Sequence, residues 1–383
     1  MSKRTRRDFV KTSAVASAGF WAAGGIALAD SKSPNEQLAV GCIGVGGKGG
    51  SDSSNIASGN KVICFSEVDG KRSDGAKKKL ATDEAFTDYR KMFDKFGEKL
   101  DAITISTPDH THGPATLQAL RLGIACYTQK PLVRTIYESR VVKKVAAEAK
   151  VATQMGNQGL ASSKLREGVA AIRAGAVGDV KEVHTWSNRP IWPQGPREPV
   201  PSECPEDLAW NDWLSCAKRR PYAKDYHPFA WRGWWDFGCG ALGDMGCHIM
   251  SLPIFGLELY NPTKLKATTS GHNRVSFPSW SKIEMEFPKT EKRGAVKFFW
   301  HDGGMLPPRD LLAGNKPDKN GVLIVGSKGT FLSGSYGANP KYLEGAELPE
   351  VEYEKSPGHM QEFIAAVKGG KTTPLSDFVT CAC

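Results

Sequence analysis

Asp244 and His248 stand four residues apart in a glycine-rich, otherwise apolar run, Gly238-Cys239-Gly240-Ala241-Leu242-Gly243-Asp244-Met245-Gly246-Cys247-His248. On a helix that spacing places both side chains on one face. A carboxylate there can orient an imidazole and raise its proton affinity. Such a histidine can take the proton of a hydroxyl while hydride leaves the carbon that bears it. Asp/His pairs are ordinary on helix surfaces, but the apolar surroundings and the glycines, which permit close approach, favour a site.

A hydride needs an acceptor, and the chain supplies a place for one. The strand-like run Leu38–Ile43 leads into Gly44-Val45-Gly46-Gly47-Lys48-Gly49, and a second apolar run, Lys61–Ser66, stops at Glu67. This reads as the dinucleotide fingerprint with its distant acid. Gly44 makes the tight turn, Gly46 has no side chain to hold off the pyrophosphate, and Gly49 lets the next helix pack close. The phosphates would sit on backbone N–H groups at that helix's positive end. A carboxylate at Glu67 binds ribose hydroxyls and repels a 2′-phosphate, so NAD is expected in preference to NADP.

The elements that position these groups follow from periodicity. Strand and helix patterns alternate as far as residue 157: a helix around Ser73–Leu80, a strand at Leu100–Thr107, a helix opened by Pro114, a strand at Ala125–Thr128, a helix over Tyr137–Lys150 and a strand at Val151–Met155. That alternation predicts an α/β domain, an open Rossmann (doubly wound) parallel sheet covered on both faces. Beyond it, Val180–Ser187, Leu265–Gly271, Ile283–Phe287, Ala295–His301 and Val322–Val325 read as strands with few helices between them. They predict an α+β domain with a large, mostly antiparallel sheet. The divisions expected are a leader over 1–29, a dinucleotide domain over 34–157 and a substrate and oligomerisation domain over 158–383.

Ligands of open parallel sheets bind beyond the carboxyl ends of the strands. Three polar motifs fall there: Ser106-Thr107-Pro108-Asp109-His110-Thr111-His112, Gln129-Lys130-Pro131 and Met155-Gly156-Asn157. Ser106, Thr107, Pro108, His112, Gln129 and Asn157 are therefore candidate cofactor contacts. A fourth group, Tyr226, His227, Trp231 and Arg232, precedes the Asp244/His248 run. Aromatic rings pack on the C–H faces of sugars and arginine binds hydroxyls, so these are candidate substrate contacts.

The first thirty residues read as an export leader. Thr5-Arg6-Arg7-Asp8-Phe9-Val10-Lys11 matches a twin-arginine signal, an alanine-rich apolar stretch follows, and Ala27-Leu28-Ala29 offers a cleavage site. This predicts a protein that is periplasmic or otherwise exported, folded before export and not held in the membrane once cleaved. The net charge of +10 falls to about +6 without the leader's excess of four positive charges. The basic residues that remain are dispersed, which argues against a nucleic-acid partner. Of the nine cysteines, Cys42, Cys64 and Cys126 fall in buried strands, and Cys204 with Cys216 is the best candidate disulfide. Cys239 and Cys247-His248 lack the spacing of metal ligands, so no metal site is expected.

The four motifs, in this order, resemble the glucose–fructose oxidoreductase / inositol dehydrogenase / MocA (Gfo/Idh/MocA) superfamily over nearly the whole chain from Leu38 onward. The resemblance implies a Rossmann domain followed by an α+β domain whose sheet forms homo-oligomer contacts. It matches Lys130 to the lysine of the family's E-K-P motif, Asp244 and His248 to its catalytic pair, and His112 to the histidine of its T-P-x-x-x-H loop. Gln129 departs from the family's glutamate, and the stop at Cys383 reads as a truncation before a further helix.

Three readings of activity follow. The first is an NAD(P)-dependent oxidoreductase acting on a sugar or cyclitol hydroxyl, with His248 as acid/base, Asp244 orienting it and Lys130 polarising the reacting oxygen. An exported enzyme meets little free nicotinamide, so its cofactor is expected to stay bound and be regenerated within the cycle. The second is a glycosidase that oxidises, eliminates and re-reduces. The third is a non-catalytic sugar- or nucleotide-binding protein, against which the joint presence of Lys130, Asp244 and His248 argues.

Overall fold

Every residue of the first strand, β1 (Ala39–Ile43), is buried, as is expected of a strand covered on both faces. In the computed structural model, which describes residues 37–370 and 373–381, β1 is central in a six-stranded parallel sheet. Its other members are β2 (Lys61–Ser66), β3 (Ala85–Phe86), β4 (Ala102–Ile105), β5 (Ala125–Gln129) and β6 (Thr153–Gly156), in the order β3-β2-β1-β4-β5-β6. The order reverses beside β1, which opens a crevice between the loops after β1 and β4. The leader over 1–29 lies outside the described residues.

The sheet is covered by two apolar layers. On one face Met92, Phe93, Ala119, Leu120 and Val142 pack with Ile103, Ile105 and Cys126. On the other, Ile56, Ala76 and Leu80 pack with Val40, Phe65 and Tyr127. The chain's last elements return to this domain. Met360 and Phe363 of the helix His359–Val367 complete the second layer, and Phe378 completes the first. The apolar positions of this C-terminal segment thus fill gaps that the first domain's own helices leave open.

The second sheet contains β7 (Val180–Ser187), β8 (Lys264–Thr269), β9 (Ser281–Phe287), β10 (Val296–His301), β11 (Asn320–Gly326), β12 (Thr330–Gly334) and β13 (Lys341–Leu343). Its order is β13-β12-β11-β7-β10-β9-β8, antiparallel except for the β7–β10 pair. One face packs on the helices Ser163–Arg173, Gly240–Ile249 and Ser251–Leu257 through Leu165, Ile172, Met245, Leu252, Phe298 and Trp300. No described helix is long and apolar enough to cross a membrane.

Two local expectations are corrected. The helix expected to open at Pro114 runs from Asp109 to Arg121, with Pro114 inside it. Proline there leaves the carbonyl of His110 without its helical donor, and the thiol of Cys216 donates to that oxygen at 3.1 Å. Cys216 and Cys204 are accordingly both free thiols, not a disulfide. A further helix, Ser163–Arg173, buries Leu165, Ala171 and Ile172.

The domains are also locked together by a buried ion pair. Arg166 and Glu362 are almost fully buried and bonded to each other, and Arg166 also donates to the carbonyls of Leu160 and Glu354. Arg166→Met leaves Glu362 charged and unpartnered in the interior. It should cost about 3–5 kcal/mol, read as a lower midpoint in denaturant unfolding.

Candidate active site

Gly44 leaves β1 at φ +76°, a conformation natural to glycine, and a Cβ on it would meet the carbonyl oxygen of Ser106 at 2.6 Å. Gly49 approaches more closely still, since its Cβ would lie 2.1 Å from the Gly44 carbonyl oxygen. The helix Lys48–Ala57 thus starts hard against the end of β1 with its N–H groups facing the crevice. Gly46 differs from expectation. The space a Cβ would take there is filled by the stem of Arg72, 2.3 Å away, which sets a guanidinium over the glycine loop. These features fit a dinucleotide: an open backbone cradle with a cation above it.

Glu67 faces the same cleft but is already engaged. Oε2 accepts the N–H groups of Val45 and Gly46 at 3.0 and 3.1 Å, and Oε1 those of Val68 and Asp69 at 2.9 and 3.2 Å. The carboxylate therefore shapes the glycine loop as well as supplying negative charge at the ribose end. Asp52, unremarked in the sequence, is buried beneath that loop. It accepts from Ser106 Oγ at 2.8 Å and Gln129 Nε2 at 2.9 Å and pairs with Lys48 at 2.5 Å. Glutamine at 129 follows from this contact, because a glutamate would press one carboxylate on another.

A cleft of about 420 Å³ runs from this cradle to the second domain. Gly44, Gly46, Glu67, Ser106, Thr107, Pro108, Gln129 and Lys130 line its Rossmann side, and His227, Trp231 and Arg232 its other side. A cavity of about 660 Å³ between Ser163–Arg173 and residues 350–354 touches none of the expected site residues.

Three expected contacts are placed elsewhere. Tyr226 lies in an aromatic core with Trp213, Trp234 and Phe237, where its ring packs instead of meeting substrate. His112 is buried, its ring nitrogens 2.7 and 2.9 Å from the carbonyls of Pro131 and Thr107. It joins the loops after β4 and β5 and does not face the cofactor cleft. Asn157 is likewise inside, against the second domain. The cleft also has walls that were not foreseen: Asp109, Trp213 and the exposed ring of Phe229. Burial raises the Asp109 carboxyl to about 7 despite the opposing pull of Arg232 and Lys130.

Asp244 and His248 are both on the helix Gly240–Ile249, as their spacing implies, but they do not partner each other. Lys130 Nζ donates to Asp244 Oδ1 at 2.9 Å and to its backbone carbonyl at 2.7 Å. Arg232 Nε approaches Oδ1 and Arg189 Nε approaches Oδ2, each at 3.3 Å. Burial pushes the Asp244 carboxyl up, and Lys130, Arg232 and Arg189 outweigh it and hold the group below the usual carboxylate range. Arg189, just beyond β7, had no sequence signal except its place at a strand end before a proline.

His248 is oriented by Asn157. The Asn157 amide Nδ2 donates to the Cys247 carbonyl at 2.7 Å and to Ser251 Oγ at 3.0 Å, so its Oδ1 must face His248 Nδ1, 2.9 Å away. An oxygen there requires N–H on Nδ1 and leaves the Nε2 lone pair free. Burial first, then Lys130, lowers the ring's pKa to about 3 against the pull of Asp244. The imidazole is thus a neutral base. Among the described residues no group of three or more His, Cys, Asp or Glu side chains is arranged to hold a metal ion.

Residues 38–157 match the family described as "Oxidoreductase family, NAD-binding Rossmann fold", and residues 178–378 match "Oxidoreductase family, C-terminal alpha/beta domain". The chain belongs to the Gfo/Idh/MocA oxidoreductase family. It is 29% identical over 151 residues to inositol 2-dehydrogenase of Rubrobacter xylanophilus, which spans 38% of this chain and 42% of that protein. It is 28% identical over 148 residues to inositol 2-dehydrogenase 4 of Saccharopolyspora erythraea, spanning 38% and 43%. The chain thus matches less than half the length of these curated relatives. Among solved structures, the WlbA dehydrogenase of Bordetella pertussis in complex with NADH and UDP-GlcNAcA has a TM-score of 0.63 at 17% identity, covering 90% of this chain and 92% of that one. Levoglucosan dehydrogenase in complex with NADH has a TM-score of 0.58 at 14% identity over 90% and 93%. At these identities the likeness is one of fold.

Two measurements probe this geometry. Glu67→Gln keeps the side chain's size but turns an NH₂ toward backbone donors. It should weaken NAD binding roughly ten- to hundredfold and narrow the preference over NADP, both read by fluorescence titration.

The second concerns acid stability. Burial holds His359, which accepts from Gln154 on Nδ1 and donates to the Met155 carbonyl, at about 4, and His248 at about 3. Both lie below the unfolded value of about 6.5, so the unfolded chain binds more protons as pH falls. Their contribution is complete above pH 6.5 and declines toward the folded values. Urea midpoints should fall between about pH 6.5 and 5, above most carboxylate titration, and His359→Gln should flatten that slope.

Proposed function

We propose that this protein oxidises a ring hydroxyl of a sugar or cyclitol, using NAD. The observation that carries this reading is the neutral His248, its Nε2 lone pair left free by Asn157, on the same helix as Asp244, the partner of Lys130. Bound NAD would supply the hydride acceptor, held by the glycine loop, Arg72 and the Glu67 end of the cleft. His248 Nε2 takes the hydroxyl proton. Lys130, fixed by Asp244, supports negative charge developing on that oxygen. Trp231 and Phe229 offer apolar faces to the ring's C–H groups. Support also comes from relatives and neighbours that are sugar or cyclitol dehydrogenases. Lys130 cannot easily replace the imidazole as base, because it is committed as a cation to Asp244.

A strap from the second domain favours a cofactor that is retained. Gly70 N–H donates to the Asp207 carbonyl and Ala209 N–H to the Val68 carbonyl, both at 2.8 Å, with a bridge between Asp69 and Leu208. These bonds tie residues 207–209 across the loop that follows Glu67. Retention suits an exported protein that leaves the cytoplasm already folded, as the twin-arginine leader implies, and works as a homo-oligomer. Such an enzyme returns the hydride within each cycle, to a second sugar or, in a glycosidase, to the elimination product. Release of aglycone with no net nicotinamide signal would mark the glycosidase.

His248→Ala should lower hydride transfer on the order of a hundred- to ten-thousandfold while dinucleotide, identified by mass after denaturation, remains bound. Asn157→Ala should lower it in the same direction by releasing the other tautomer. A His248→Ala protein within a few-fold of the unaltered rate would reject the assignment.

A further inference from the structure

Two cations that line the cleft, one from each domain, share a single carboxylate with a third cation. Lys130, Arg189 and Arg232 all contact Asp244, so this contact set holds a net +2. Counting Asp109, which faces the same groups, as fully ionised still leaves +1. The three cationic side chains are only 16%, 23% and 25% exposed, so water compensates them poorly, and uncompensated charge at such depth is costly.

The arginine forks are also incompletely used. Arg189 spends Nε on Asp244 and Nη1 on Asn188 Oδ1 at 2.8 Å. Arg232 spends Nε on Asp244 and Nη1 on the Phe229 carbonyl at 3.3 Å. Neither Nη2 has an acceptor among the described residues. Arg232 is stacked 4.2 Å from the Trp231 ring centroid and 5.2 Å from that of Phe229, which fixes its plane. A fixed guanidinium with free donors recognises carboxylate or phosphate oxygens. The cofactor's phosphates do not account for this charge, since Lys48 and Arg72 stand at the glycine loop.

We propose that the substrate is an anionic sugar, a uronic acid or a sugar phosphate, whose charged group lies between Arg189 and Arg232 beside Lys130. This rests on the dehydrogenase reading above and names the substrate class for that site. A neutral sugar or cyclitol would fill the same space and leave the charge uncompensated.

The test uses the full protein loaded with NAD and matched substrates: glucose with glucuronate and glucose 6-phosphate, and galactose with galacturonate. Nicotinamide absorbance in single turnover gives the rates. An anionic member should exceed its neutral counterpart in kcat/KM by about tenfold or more, uronate or phosphate according to which group the forks accept. Arg189→Gln and Arg232→Gln should erode that advantage chiefly through KM. Arg→Lys at either position, which keeps the charge but loses the fork, should restore it in part. Calorimetric binding of the same pairs to the unaltered protein should rank them alike and does not depend on any variant folding. Equal or better use of the neutral sugars, with unchanged ranking in the variants, overturns the proposal and leaves the dehydrogenase reading intact. No nicotinamide signal with either class, when cofactor is shown to be bound, removes the dehydrogenase reading and the proposal with it.

Discussion

The half-buried ion pair between Lys130 and Asp244 is the constraint on which the site depends. Lys130 follows β5 of the first domain and Asp244 lies on a helix packed against the second sheet, so their 2.9 Å contact crosses the domain boundary. Each partner is mostly withdrawn from water, where an unpaired charge would be expensive, and pairing is what permits both to stay ionised. The lysine gives a second hydrogen bond to the carbonyl of Asp244, which fixes its ammonium group in place as well as in charge. The helix that carries His248 is thereby held in register with the nucleotide cleft.

The neutral imidazole is a consequence of the same arrangement. With Asp244 taken by three cations, His248 has no carboxylate partner among the described residues, and the nearby Lys130 works with burial to disfavour its protonation. A carboxylate bonded to the ring would make it a stronger base. An amide bonded to it instead selects a tautomer without adding charge. Asn157 can do this because its own orientation is settled by the Cys247 carbonyl, an oxygen that can only accept.

Below the cradle, Asp52 plays an equivalent part for the first domain. It draws together Lys48, Ser106 and Gln129, and so the loops that follow β1, β4 and β5. The family's glutamate at the position of Gln129 is incompatible with that carboxylate in contact. What looks in the sequence like a lost charge is a charge placed on another element.

Chemistry that is local along the chain was readable from the chain alone. Alternating apolar runs set the parallel sheet because strands buried on both faces must be continuously apolar. The glycines at 44 and 49 announced a turn and a close packing that other residues would obstruct, and the i, i+4 spacing put Asp244 and His248 on one helix. Partnership was not local. Tyr226 and Trp231 are both aromatic residues of one buried cluster, five positions apart, yet only Trp231 also reaches the cleft. His112 looked like a ligand and is a brace between two loops. Arg189, Asp52 and Asn157 acquire their roles only from contacts 55, 77 and 91 residues distant in sequence. Residue type determined which groups could carry protons and charge. Only the packing of two domains decided which of them face one another, because burial and pairing depend on neighbours that the order of the chain does not specify.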